Sequence, residues 1–232
     1  MKQLKLLGAA LIVVLCTGAA ISSMAFAVKP GVLPTPTKAQ PVFGESTSGV
    51  STFGSGFTTI TSAKSEDVEE FTSEDEGTFK VIFKESKDLL SRKCTGLLNV
   101  TEGDITVEGT IDLRYALTAA KALVVVALFL LPTGSSAVHF SCGAVLAIVT
   151  GCAAGIVEPT NKLSKTLTVS LKKNKTDNEI ITVLKLEKAE TENCELKAAQ
   201  NEGTLELSAE ETKQELSGFK QNGAGIQVEV MA

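Results

Sequence analysis

The stretch Ile105-Thr-Val-Glu-Gly-Thr-Ile-Asp-Leu-Arg-Tyr115 decides the fold. Ile105, Val107, Ile111, Leu113 and Tyr115 fall on one face of an extended chain, and Thr106, Glu108, Thr110, Asp112 and Arg114 on the other. A period of two is the mark of a strand with one buried face. The chain then enters Ala122-Leu-Val-Val-Val-Ala-Leu-Phe-Leu-Leu131, its most apolar run outside the N-terminus. The alanines of Ala116 to Leu131 also suit a helix. Val124-Val125-Val126 and the stop at Pro132-Thr-Gly134 favour a strand buried on both faces. Lys121 and Pro132 bound too short an apolar run for a membrane span.

The same alternation recurs on both sides. Phe79, Val81 and Phe83 share a face in Thr78 to Phe83, and Leu167, Val169 and Leu171 do so in Thr166 to Leu171. Shorter strand candidates are Cys94 to Val100, Val138 to Cys142, Ile180 to Leu186, Glu195 to Gln200, Gly203 to Ser208 and Ile226 to Val230. Ala209 to Glu215 suits either a helical turn or an exposed strand edge. Turn signals at short, regular spacing make the chain all-β, an antiparallel β-sandwich or barrel-like domain. Lys162, Lys165, Lys172, Lys173 and Lys175 form a basic edge that discourages edge-to-edge pairing. Ser65 to Gly77 holds Glu66, Asp67, Glu69, Glu70, Glu74, Asp75 and Glu76. Calcium needs several oxygens converging on one point, and the spacing is neither the EF-hand nor the nonapeptide calcium pattern. A solvated turn or acidic strand edge is the expected form.

Residues 1–27 read as a signal peptide. Lys2 and Lys5 precede the apolar Leu6 to Ile21, and Ala25-Phe26-Ala27 fits the small-x-small cleavage rule. A lipoprotein signal ending at Cys16 fits poorly, because Leu15 stands where a small residue belongs. Left uncleaved, the run could instead tether the protein to a membrane. Residues 28–61 read as a flexible Pro/Gly/Ser leader, with Pro30, Pro34, Pro36 and Pro41 followed by Gly, Ser and Thr around Phe43, Phe53 and Phe57. Those phenylalanines give the leader an alternative as a docked segment or edge strand. Residues 62–232 are then one disulfide-stapled β domain.

Loss of Lys2 and Lys5 takes the formal charge from −5 to −7, since residues 1–27 hold no acid. That balance gives no electrostatic footprint for nucleic acid. The absence of Trp and the single Tyr count against sugar stacking. Export makes Cys94, Cys142, Cys152 and Cys194 disulfide candidates. Four cysteines allow three connectivities. Cys142 with Cys152 is the local choice, leaving Cys94 with Cys194 to staple the ends of the core. One histidine in the whole chain, without Cys-x2-4-Cys spacing, argues against zinc, and no metal or cofactor is expected.

Catalytic motifs are sparse. His139 and Ser141 share a strand face, but a Ser-His pair needs a third group to orient the ring, and no G-x-S-x-G elbow is present. Ser170-Leu-Lys-Lys173 matches S-x-x-K only formally, on a segment that alternates as a strand. Paired carboxylates leave room for a glycosidase-type hydrolase. Asn99-Val-Thr101 and Asn174-Lys-Thr176 match the glycosylation sequon.

Several strings together carry a resemblance: Leu117-Thr-Ala-Ala-Lys-Ala-Leu-Val-Val-Val126, Leu131-Pro-Thr, Val138-His-Phe-Ser-Cys-Gly143 and Glu158-Pro-Thr-Asn-Lys162, with a Gly-punctuated acidic tail from Leu186 to Val230. The chain resembles a family of uncharacterised secreted proteins of soil actinobacteria. The resemblance implies export and a β-rich domain, and brings no activity with it. The expectation is a secreted or cell-surface-associated protein acting by non-enzymatic binding or as envelope structure, its partner a cell-envelope polymer or protein. A secreted carboxylate-dependent hydrolase and a protein tethered by an uncleaved N-terminal helix are the alternatives.

Overall fold

The structure, a computed structural model, describes residues 29–54, 59–117, 123–134, 137–171, 182–185, 190–194, 196–200 and 206–232. At 117, 182–185, 190–193 and 206–214 it describes the backbone alone. The first strands are β1 (Gly31–Leu33), β2 (Val42–Ser48), β3 (Ser51–Gly54), β4 (Thr59–Ser62), β5 (Lys64–Phe71) and β6 (Glu76–Lys84). There follow β7 (Lys87–Asp88), β8 (Cys94–Gly96), β9 (Ile105–Leu117), β10 (Leu123–Leu131), β11 (Val138–Cys142) and β12 (Val145–Glu158). The last are β13 (Leu167–Leu171), β14 (Thr182–Lys185), β15 (Glu190–Asn193), β16 (Leu196–Gln200), β17 (Glu206–Gln221), β18 (Ala224–Gly225) and β19 (Glu229–Met231).

Eight of them close an antiparallel barrel in the order β9-β10-β12-β13-β17-β2-β5-β6 and back to β9. The deciding segment is most of β9. β9 turns Ile105, Ile111, Leu113 and Tyr115 into the interior and pairs with β6 on one side and β10 on the other. β10 is a strand buried on both faces. Val125, Ala127 and Phe129 join the barrel core, while Val126 and Leu128 belong to an outer apolar cluster with Ala116, Cys152 and Cys194.

β12 and β17 are longer than the barrel needs, and their first halves build a second tier. There the pairings run β12-β16-β17-β3-β4-β7, and β8-β11 returns to β12. A bridge between Lys87 and Lys93 joins β7 to β8. Each tier has its own core, the first around Phe79, Ile111, Phe129 and Leu216, the second around Ile60, Ile105, Val138 and Phe140. Phe83, Val107 and Leu131 pack against both. At the far end of the second tier, Leu89, Leu90, Leu97, Leu98 and Val100 stand exposed on turns.

The outer face of β2, β5, β6 and β9 carries Glu45, Glu66, Glu70, Lys80, Glu108 and Thr110, whereas the outer face of β10 and β12 is the apolar cluster around Val126 and Leu128. Among the described residues no helix is long and apolar enough to cross a membrane.

Four expectations are corrected. The supposed spacer, residues 28–61, supplies β1 to β3 and most of β4. β2 closes the barrel between β5 and β17, with Val42 fully buried. Prolines and glycines hid it, but Val42, Gly44, Ser46 and Ser48 alternate inward with small side chains. The domain therefore begins near Gly31 and not at 62; residues 1–27 lie outside the described ones. Ala209 to Glu215 is not a helical turn: it is interior to β17, pairing with β3 from Ala209 to Glu211 and with β13 from Thr212, and with β2 as well at Gln214 and Glu215. Cys94 to Val100 is a strand only to Gly96, after which Asn99 closes a turn back onto it.

The disulfides pair Cys94 with Cys142 and Cys152 with Cys194, against the expected Cys142–Cys152 and Cys94–Cys194. Side-chain parity is the reason. Cys142 points into the second tier, directly opposite Cys94 on the neighbouring strand, and Cys152 points out of the wall into the outer cluster. Nearness in sequence cannot join opposite faces of a sheet. The bonded cysteines are separated by 48 and 42 residues, so each closure is worth about 4 kcal/mol in the chain-entropy model.

Candidate functional site

β5 breaks the rule, large apolar side chains inward, that most barrel strands obey. Its sequence, Lys-Ser-Glu-Asp-Val-Glu-Glu-Phe, puts Ser65, Asp67, Glu69 and Phe71 inside, and Glu66, Val68 and Glu70 outside. Val68 is 47% exposed, whereas Glu69 is fully buried and Asp67 nearly so. The register is fixed by the core: Phe71 packs there opposite Val42, and slipping β5 by one would turn Phe71 outward. The expectation of a solvated acidic turn holds for Glu74 between β5 and β6; Asp75 is buried against Lys29 and Arg114, and for Asp67 and Glu69 too the expectation is wrong.

The inner face of β2 completes a polar strip. Ser46 donates to Asp67 Oδ2 at 2.6 Å, and the hydroxyls of Ser48 and Ser65 lie 2.8 Å apart. Three carboxylate oxygens, Asp67 Oδ1 and both of Glu69, have no hydrogen-bond partner among the described residues. Burial pushes the Glu69 carboxyl well above its ordinary range, with the charge of Asp67 adding to the effect. Asp67 is raised as well, chiefly by burial, although its bonds to Ser46 and Ser65 oppose the shift. Gly44 lies opposite Glu69, and a Cβ there would meet the Phe219 ring at 2.9 Å, so the glycine is what lets Phe219 close over this part of the strip.

On its other side the strip meets apolar wall. Phe83, Val81 and Phe79 on β6 pair with Ser65, Asp67 and Glu69. These three also line a cavity of about 80 Å³ at the junction of the two tiers, together with Phe140, Leu131 and Val149 among others. Ser51 and Ser62 supply its polar lining. An acid-and-hydroxyl strip thus lies one strand away from an apolar hole, inside a closed wall.

The candidates drawn from sequence fall elsewhere. Cys94, Cys142, Cys152 and Cys194 are all in disulfides. His139 and Ser141 do share a face, the outer one of β11, opposite Ile148 and Leu146. No carboxylate is bonded to His139 among the described residues, so the geometry of a triad is missing. Ser170 lies on β13, while Lys173, Asn174 and the basic residues Lys172 and Lys175 lie outside the described residues. Asn99 is held by Thr106, to whose hydroxyl it donates at 2.7 Å. The signal that could have exposed Asp67 and Glu69 was parity: counted back from Phe71, they occupy inward positions.

No family model, curated protein or solved structure matches the chain.

Proposed function

We propose that this is an exported, non-enzymatic binding protein whose site is the interior of its barrel, taking a small, largely apolar molecule in the cavity between the tiers. The observation that carries the reading is the inverted strand β5 beside that cavity. Folding gains nothing from two acids facing a closed core, where unpaired polar groups cost free energy. Local rules of this kind are broken mainly at functional sites. The two disulfides and the resemblance to secreted proteins of soil actinobacteria support export, and with it a place outside the cell or on its surface.

A carboxylate-dependent hydrolase is the weaker reading. Asp67 and Glu69 lie on one face of one strand, so both approach a ligand from the same side. Glycoside hydrolysis needs its two carboxyls to flank the scissile bond.

The test is thermal unfolding of the oxidised chain from Val28 onward against small apolar ligands, wall polymers and glycans. A ligand at a hundred times its dissociation constant stabilises by about 2.7 kcal/mol. Stabilisation by small apolar ligands that Ala153→Leu abolishes, by filling the cavity, is the expected result. Stabilisation by surface polymers alone, untouched by Ala153→Leu, would move the site out of the barrel.

A further inference from the structure

We infer that the polar strip is a cation subsite, and that Asp67 Oδ1 with Glu69 Oε1 and Oε2 holds one calcium ion inside the barrel; this deepens the reading of the interior as a binding site and rests on it. The donors are the first argument. Ser46, Ser48 and Ser65 bring three hydroxyl oxygens, and Asp67 and Glu69 bring four carboxylate oxygens. Nitrogen and sulfur donors are lacking from the strip, and an all-oxygen set selects a hard cation. Calcium takes six to eight oxygens in flexible geometry, whereas magnesium keeps several waters that a sealed wall supplies poorly.

Charge is the second argument. Among the described residues no ion pair involves Asp67 or Glu69: the acids paired with Lys, Arg or His there are Glu45, Glu66, Asp75, Asp88, Glu102, Asp104, Glu108 and Asp112. The neighbouring inward positions are Phe79, Val81 and Phe83 on one side and Gly44 on the other. When ionised, the two buried carboxylates have no positive partner among the described residues, and a bound cation would supply one. Among the described residues no three His, Cys, Asp or Glu side chains gather as in a dedicated metal cage. The hydroxyls stand in for the missing acids, and Ser46 and Ser65 already orient Asp67.

The experiment starts from the mature, oxidised chain stripped with chelator. Equilibrium dialysis against calcium, with metal counted per chain, is run beside thermal unfolding with calcium and with magnesium. One calcium retained per chain is expected, with a rise of several degrees in the unfolding temperature that magnesium does not match. Glu69→Gln and Asp67→Asn should each lose the ion, while Glu70→Gln on the outer face keeps it. Retention of calcium by both inner variants, or no retention by the parent chain, would overturn the inference. Should an inner variant fail to fold, infrared spectra of the parent decide. A carboxylate band that shifts on adding calcium supports the site, and an unchanged band at neutral pH sinks it. Repeating the apolar-ligand test in chelator separates this idea from the broader one, since the cavity should still fill when the strip is empty.

Discussion

Val68 faces solvent and Glu69, the next residue, faces the barrel interior. On a strand of ordinary polarity the two would be exchanged. The consequence is a buried acid whose proton affinity depends on the fold, and stability inherits that dependence.

In metal-free protein, stability should fall as pH rises. Glu69 has a folded-state pKa above the ordinary 4.5, so between the two values the folded state binds more protons than the unfolded state. Its contribution is complete below 4.5 and is lost as pH climbs through the raised value; Asp67 acts in the same direction from 3.8 upward. Denaturant titrations from pH 4 to pH 8 should show this slope, and Glu69→Gln should flatten it. An identical slope in the variant would assign the effect to other groups.

Glu69→Leu should raise metal-free stability at neutral pH by about 1–3 kcal/mol, the usual cost of an unsatisfied buried polar group. The leucine would sit among Phe79 and Phe219 without needing a partner. A measured loss of stability would mean that the carboxyl is satisfied in a way the present geometry does not include.

Truncation distinguishes a spacer from a wall. Removing residues 28–48 deletes β1 and β2 and opens the barrel between β5 and β17, so no cooperative unfolding transition should remain. A spacer could be cut without harm, and circular dichroism melts would show it.

Leu131→Ala should cost about 2–5 kcal/mol, the range for deleting a packed leucine, because that side chain packs against both cores. Peptide mapping under non-reducing conditions should recover Cys94 with Cys142 and Cys152 with Cys194. Removing either bond should lower stability by about 4 kcal/mol in the chain-entropy model.

What the sequence made legible followed from strict alternation. β9, β6 and β13 were readable because their inward residues are large and apolar, and β10 because it is apolar on both faces. β2 was missed because its inward residues are mostly Gly and Ser, which look like linker when pairing partners are unknown. β5 was missed because alternation was read by polarity alone, and its polarity is reversed. The disulfide pairing needed the register of β8 against β11, a long-range relation that spacing along the chain cannot supply.

β1 and β19 pair with one another at the base of the barrel, beside Glu74, Asn161 and Ser164. The molecule consequently has a polarity like that of a peg. Whatever is fused to, or retained at, either end leaves from the same pole. The opposite pole, with Leu89, Leu90, Leu97 and Leu98, is held outward. Immobilising the protein through a tag at either end should therefore present the second tier to solution in the same orientation.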